Sequence, residues 1–421
     1  MNENSILDQT AFHDPRMRGF RKREALGAVV ALIDARVAAL GFETIGLAAA
    51  AGRVLGEVVT ACCSVPPFDR ASMDGYAVRG EETYGADPYA PAEFVLKGRA
   101  RPGREFAGTV GSGEAVEIAT GAPLPRGADT VVPVEATAIE REVVRVREAV
   151  PVGRHVGRVG EDVQSGTAVL QAGRVLRPQD LGVLSGMGVA EVTVVRRPTV
   201  TILITGDELL GPGMPPSGHC FADMNSPMLS ALVARDGGLP RVIGPLPDCR
   251  ETLREALLEG VRQSDAVLVS GGSSTGPEDH APGLVAELGE LLAHGVALRP
   301  ASPTGVGFVG GVPVLLLPGN PVSCLCAYDL FGGRVVRRLG GRPVQWPYRS
   351  VERPLLHKLV SAVGRVDYVR VKLTEDTVEP LAVSGASILS NTTRADGFVL
   401  VPADLEGYSA GTTVTMWLYD G

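Results

Sequence analysis

Between residues 200 and 330, short apolar runs alternate with longer amphipathic ones. A parallel sheet with helices on both faces is the simplest arrangement that accommodates this alternation. The spacing predicts strands over 200–204, 242–243, 266–269 and 312–317, and helices over 226–236, 250–263, 282–292 and 321–330. Three of these strands run into polar loops: Thr205-Gly206-Asp207-Glu208, the stretch from Gly271 to Asp279, and Pro318-Gly319-Asn320-Pro321-Val322-Ser323. Right-handed crossovers bring such loops to the carboxyl edge of the sheet, where open α/β folds bind ligands.

The most informative of the three loops ends the stretch 267–280, VLVSGGSSTGPEDH. A buried strand enters two glycines, then small hydroxyl residues, a third glycine and the pair Glu278-Asp279. Backbone N–H groups uncovered by a Cβ, hydroxyl donors and carboxylates are the parts of a phosphate and divalent-cation site. A Gly-Gly after a strand is also how a plain turn is built, so the loop alone leaves both readings open. Convergence of three polar loops on one edge favours a phosphate-bearing ligand.

The remaining chain is of other kinds. Apolar positions at helical spacing predict a helix from about Lys22 to Leu40 and a shorter one over 47–54. A double proline then opens PPFDRASMDGYAVR, a loop entering a strand at 76–78. Short alternating runs at 93–96, 115–118, 130–134 and 143–146 read as a small β domain. It contains the turn-rich loop with Thr120 and Gly121, and is followed by a helix start at Arg177-Pro178-Gln179-Asp180 and a strand over 189–195. Arg141, Arg145, Arg147, Arg154 and Arg158 read as solvated strand faces, with an anion site as the alternative. After Pro347 the pattern is again β, with runs at 366–373, 397–401 and 412–418. At 421 residues the chain exceeds the ~250–300 at which one core stops growing. We therefore expect an α/β multidomain protein: a discontinuous unit 1–60 plus 158–196, an inserted β domain 61–157, an α/β domain 197–345 and a terminal β domain 346–421.

Composition narrows the function classes. A net charge of −8 argues against a nucleic-acid or membrane-surface binder. The longest apolar stretch, 25–42, is interrupted by Asp34 and Arg36, and residues 1–5 do not resemble a secretory signal, so a cytoplasmic protein is expected. The six cysteines, Cys62, Cys63, Cys220, Cys249, Cys324 and Cys326, lack zinc-site spacing and read as buried reduced thiols.

Taken together, PPFDRASMDGYAVR, ATGAPLPRGAD, VGEDV, TGDELL, DMNSPML, SGGSSTGPED, LPGNPVS and RADGFVLVP resemble, in order and over nearly the whole chain, the molybdopterin molybdenumtransferases. These are the bacterial MoeA proteins and the matching domain of gephyrin. The resemblance implies a doubly wound MoaB/MogA-like α/β domain, an inserted small β domain, an elongated discontinuous α+β linker domain and a C-terminal β-barrel domain. It also implies a homodimer that converts adenylylated molybdopterin and molybdate into molybdenum cofactor and AMP with Mg²⁺. A molybdopterin adenylyltransferase and molybdoenzyme targets are the partners it suggests. Carried over by residue, it makes Asp74, Asp248 and Asp279 catalytic, and Glu208, Asp248 and Asp279 metal ligands. Cofactor binding falls to Thr120, Gly121, Asp207, Glu208, Gly271, Gly272, Ser274, Asn320, Pro321 and Ser323. Molybdate falls to Arg299, Ser302, Pro303, Arg370 and Ser387. Asp74 and Thr120 are placed on the dimer-facing side of the site.

The chain departs from this pattern at four places. His280 stands where the family has Tyr, and Cys249 where it has a second Asp. The stretch that commonly reads Lys-Pro-Gly-Lys-Pro is Arg299-Pro300-Ala301-Ser302-Pro303, which keeps the first cation and lacks the second. The terminal Gly-Ser-Gly is Gly385-Ala386-Ser387. The alternative to an active transferase is a paralogue of altered activity, or one that binds molybdopterin or AMP as a scaffold.

Overall fold

A computed structural model describes residue 20 and residues 23–274, 276–382 and 385–419; residues 1–5, the expected helix start at Lys22 and the loop position Thr275 lie outside them. The chain divides into two compact units, one of residues 44–51 and 55–193, the other of 1–43, 52–54 and 194–421.

The first of these units is built on a six-stranded sheet. Its order is Thr130–Pro133, Gly75–Val78, Glu114–Ile118, Ala92–Ala100, Val143–Val146, Thr137–Glu140. Pairing is antiparallel except between Ala92–Ala100 and Glu114–Ile118. Alternation sends Ala77, Val116, Ile118 and Val131 to one cluster and Tyr76, Val78, Ala115 and Val132 to the other. Arg145 pairs with Glu93 and Glu140 across the strands, and Arg158 with Asp69, as expected of solvated faces. The helix expected at Arg177 spans Pro178–Gly186, with proline in its first turn and Asp180 accepting the Arg177 N–H at 2.9 Å. The helix expected over 47–54 is instead a single 3-10 turn, Leu47–Ala49. Gly52, at a φ of 72°, is in a left-handed conformation that ends a helix.

The second unit contains the expected doubly wound sheet. Its order is Leu239–Leu246, Thr199–Thr205, Ala266–Ser270, Val312–Leu317, Gly305–Val309, Glu290–His294. The first four strands are parallel and the last two antiparallel. Ile202, Ile204 and Leu268 face a cluster with Leu229, Val335 and, from helix Leu26–Arg36, Val29 and Ile33. Leu203, Val267 and Val269 face Leu253, Leu257, Leu284 and Val285 on the opposite side. Each such side chain contributes about 1.5–3 kcal/mol on burial, which is why these strands read as unbroken apolar runs.

Three helices of this unit differ in extent from expectation. The one expected from about Lys22 to Leu40 spans Leu26–Arg36. The helix expected to reach residue 292 stops at Leu288. Gly289 turns the chain into strand Glu290–His294, and a Cβ there would stand 2.0 Å from the Phe308 carbonyl oxygen. The helix expected over 321–330 runs on as Pro321–Ala327, a π turn Tyr328–Gly332 and Gly333–Leu339.

The terminal strands form a third six-stranded sheet. It runs Leu298–Arg299, Val366–Leu373, Gly397–Val401, Thr413–Leu418, Ser350–Pro354, with Val378–Ala382 also on Val366–Leu373. A bridge between Leu355 and Val378 curls it into a half-barrel. The pairing of Leu298–Arg299 with this sheet sets Arg299 opposite Asp367.

Among the described residues no helix is long and apolar enough to cross a membrane. The cysteines correct the sequence reading: only Cys324 and Cys326 are buried, Cys62 is exposed, and Cys63, Cys220 and Cys249 lie between. Burial pushes the Cys324 thiol up to about 12, which disfavours the thiolate, the reactive form. Titration of the native protein with a thiol reagent at pH 8 is expected to modify Cys62 and leave Cys324 and Cys326 unmodified until denaturant is added. Native-state labelling of Cys324 would contradict the packing described.

Candidate functional site

The parallel strand order places the sheet's switch point between Thr199–Thr205 and Ala266–Ser270, where the chain leaves in opposite directions. A cavity of about 560 Å³ opens at their carboxyl ends. All three polar loops line it: Thr205, Gly206 and Glu208; Ser270 to Ser274 with Gly276 to Asp279; and Pro318 to Pro321. The strands can approach closely there because Gly271 has no side chain. Its φ is 102°, and a Cβ would meet the Thr205 carbonyl oxygen at 2.2 Å.

The carboxylates of this cavity are oriented by their neighbours. Thr205 Oγ1 donates to Asp248 Oδ1 at 2.6 Å, and the Asp207 N–H donates to Asp248 Oδ2 at 3.3 Å. Asp207 itself accepts the Asp248 N–H at 3.1 Å and does not line the cavity. Asp279 accepts the Gly276 N–H, closing the loop on itself. Among the described residues no three His, Cys, Asp or Glu side chains are gathered closely enough to hold a metal ion alone. Mg²⁺ commonly takes one or two carboxylates and completes its shell with phosphate oxygens and water. The acidic wall of Glu208, Asp248 and Asp279 therefore fits that ion only in company with a phosphate-bearing ligand.

A second cavity of about 530 Å³ shares Pro303, Pro318 and Asn320 with the first. Arg23, Arg299, Ser302, Ser323 and Arg365 also line it. Arg299 donates from Nε to Asp367 Oδ1 at 2.8 Å, and through a second guanidinium nitrogen to the other oxygen of that fully buried carboxylate. Ser387 lines the first cavity and donates to Asn320 Oδ1 at 2.8 Å. Arg370 is fully buried within Val366–Leu373 and lines neither cavity; His280 and Cys249 line neither as well.

Asp74 and Thr120 belong to the other unit and are described there alone. Both donors of Thr120 reach one oxygen of Asp74, the N–H at 2.6 Å and the hydroxyl at 2.8 Å. The Thr120 N–H, followed by its hydroxyl, holds this exposed carboxyl below its ordinary value. Gly121 continues that turn at a φ of 81°.

Several lining residues have no role in the sequence reading. Asp223 accepts the N–H groups of Asn225 and Ser226, and Asn225 donates to Ser270 Oγ at 2.9 Å and to the Gly319 carbonyl at 2.7 Å. The two residues tie the helix Asn225–Arg235 to the loops of the cavity, and the DMNSPML motif contained their signal. Arg23 and Arg365 carry no local signal, because what makes them notable is which distant residues they meet.

An open α/β sheet with an acidic, glycine-lined cavity at its switch point, next to an arginine-lined one, defines a class of protein that handles anionic, phosphate-bearing ligands. Family models assign residues 23–188 to "MoeA N-terminal region (domain I and II)", 201–338 to "Probable molybdopterin binding domain" and 352–419 to "MoeA C-terminal region (domain IV)". Molybdopterin molybdenumtransferase 2 of Mycobacterium tuberculosis is 36% identical over 384 residues, covering 89% of this chain and 94% of its own. The molybdopterin molybdenumtransferase of Staphylococcus aureus is 30% identical over 380 residues, covering 89% and 90%. The structure of the molybdopterin biosynthesis MoeA protein from Pyrococcus horikoshii superposes with a TM-score of 0.82 at 31% identity, covering 95% of this chain and 100% of that one. The chain belongs to the MoeA family of molybdopterin molybdenumtransferases, enzymes of molybdenum cofactor biosynthesis.

Gly271→Ala is expected to destabilise the protein by about 2–4 kcal/mol, because backbone must move. Gly272→Ala, whose Cβ would stand 3.4 Å from Thr205 Cγ2, should cost about 1 kcal/mol from its left-handed backbone. Urea unfolding of the two variants tests this, and equal midpoints would be inconsistent with the contact at Thr205.

Proposed function

We propose that this enzyme cleaves the phosphoanhydride of adenylylated molybdopterin, releases AMP and delivers molybdenum from molybdate to the pterin. One observation carries the reading: an acidic glycine-loop cavity and an arginine-lined cavity share a wall at Pro303, Pro318 and Asn320. A phosphate-bearing organic substrate and a small inorganic anion can thus lie side by side. With substrate bound, Glu208, Asp248 and Asp279 would hold Mg²⁺ against the phosphates, neutralising charge as the anhydride breaks. In this reading Thr205 and the Asp207 backbone keep Asp248 turned toward the ligand. Gly271, Gly272, Ser274, Asn320, Pro321 and Ser387 shape the space it occupies, while Arg299, Ser302, Pro303 and Ser323 border the molybdate.

The finer organisation is part of the same proposal. The chain divides into 1–60 plus 158–196, 61–157, 197–345 and 346–421, and acts as a cytoplasmic homodimer in which Asp74, Thr120 and Gly121 face the dimer-facing side of the site. A molybdopterin adenylyltransferase supplies its substrate and molybdoenzymes receive its product.

Incubating the purified protein with adenylylated molybdopterin, molybdate and Mg²⁺ should release AMP, measured chromatographically. Asp279→Asn and Asp248→Asn should each lower that release by at least about a hundredfold. Tight binding of the pterin nucleotide without AMP release by the unmodified protein would favour the scaffold alternative.

A further inference from the structure

The cation missing from the 299–303 stretch has a counterpart elsewhere in the fold. Residues 23–25 run along the strand edge that leads into this stretch: the Glu24 N–H donates to Gly295 O and the Ala297 N–H to Glu24 O, both at 2.9 Å. The Phe20 ring stands edge-on to His294, with ring centroids 5.0 Å apart. These contacts bring Arg23 to Ser302, 279 positions away in the chain. Arg23 Nε donates to Ser302 Oγ at 2.9 Å, while Ser302 spends its own proton on Val296 O at 3.1 Å.

The charges around the second cavity do not balance. Three guanidinium groups line it, from Arg23, Arg299 and Arg365. The one carboxylate they meet among the described residues is Asp367, which is buried behind the wall, takes both arms of Arg299, accepts the Ser361 hydroxyl at 2.6 Å and lies 3.8 Å from Arg365. Among the described residues the one hydrogen-bond partner of the Arg23 side chain is a neutral hydroxyl. A guanidinium has five N–H donors, and those not used on Ser302 have no partner among the described residues. Of the three arginines, Arg23 has its charge least answered by protein.

We propose that Arg23 is a binding residue for the oxyanion of the second cavity, supplying from the N-terminal segment the charge-assisted hydrogen bonds that residue 302 cannot. Ser302 orients it by accepting one of its N–H groups, and Arg299, neutralised by Asp367, serves mainly as wall. The inference rests on the assignment of this cavity to molybdate made above. It names a residue that neither the family motifs nor the local sequence pointed to.

The test is isothermal titration of the full-length protein with sodium molybdate alone, alongside the AMP-release assay. Arg23→Ala should weaken molybdate binding about ten- to a hundredfold, as for loss of one charged donor set, with an unchanged melting temperature and a shallower dependence of affinity on salt. Arg23→Lys should keep most of the affinity, and Ser302→Lys in the Arg23→Ala background should restore it. Wild-type affinity and wild-type molybdate dependence of AMP release in Arg23→Ala would overturn the proposal. So would an unmodified protein that releases AMP but binds no molybdate by itself, an outcome that leaves the transferase reading standing. An unmodified protein that neither binds molybdate nor releases AMP would overturn both.

Discussion

Two carboxylates deprived of solvent, Asp236 and Asp329, constrain how the α/β unit is assembled. Asp236 accepts from Arg337 at 2.9 Å, Arg235 at 2.9 Å and the Tyr328 hydroxyl at 3.0 Å. Asp329 accepts from Tyr348 at 2.9 Å, Tyr368 at 3.1 Å and Arg235 at 3.3 Å. Burial pushes the Asp329 carboxyl above its ordinary value, and Arg235 with the two tyrosine hydroxyls opposes that shift. Removing one partner from such a network typically costs about 3–5 kcal/mol, because the remaining charge is left buried and unanswered. The network therefore has essentially one satisfactory geometry. In it the helix Asn225–Arg235, the π turn Tyr328–Gly332, the helix Gly333–Leu339 and the strand Val366–Leu373 are held together.

That strand also carries Asp367. Fixing Tyr368 in the network fixes Asp367 opposite Arg299, and with it the wall of the second cavity. The first cavity depends on a different constraint, the absence of a Cβ at Gly271, which lets adjacent strand ends approach. The two cavities consequently differ in sign. Carboxylates that need a cation line one; guanidinium groups, only partly neutralised, line the other. The reaction proposed above, joining a phosphate-bearing pterin to an inorganic oxyanion, would use both side by side.

Much of this was legible in the residues. The parallel strands of the sheet read as unbroken apolar runs because both their faces are covered by helices, and their polar loops were placed at the carboxyl edge by chain-handedness alone. The strands Glu290–His294 and Gly305–Val309 were not legible. The first continues an amphipathic helical pattern, and what converts it to strand is close backbone contact between Gly289 and Phe308. The helix expected over 47–54 failed for a local reason, the left-handed glycine at 52. Asp207 reads from TGDELL as a ligand-facing carboxylate, yet it spends an oxygen on the Asp248 backbone. Arg370 reads as an anion contact, yet its strand turns it into the core.

By itself, then, the sequence determined the elements and the chemistry of each loop: a doubly wound α/β sheet between β-rich segments, glycines where strand ends crowd, carboxylates and hydroxyls at the ligand edge. Those properties follow from short-range periodicity and from residue types that permit few alternatives. Only the tertiary structure decided how the loops are combined and how the charges are answered. It paired Arg299 with Asp367, turned Arg370 inward and brought Arg23 to Ser302. Such partnerships join positions tens to hundreds of residues apart, and no local pattern encodes the desolvation and packing that select them.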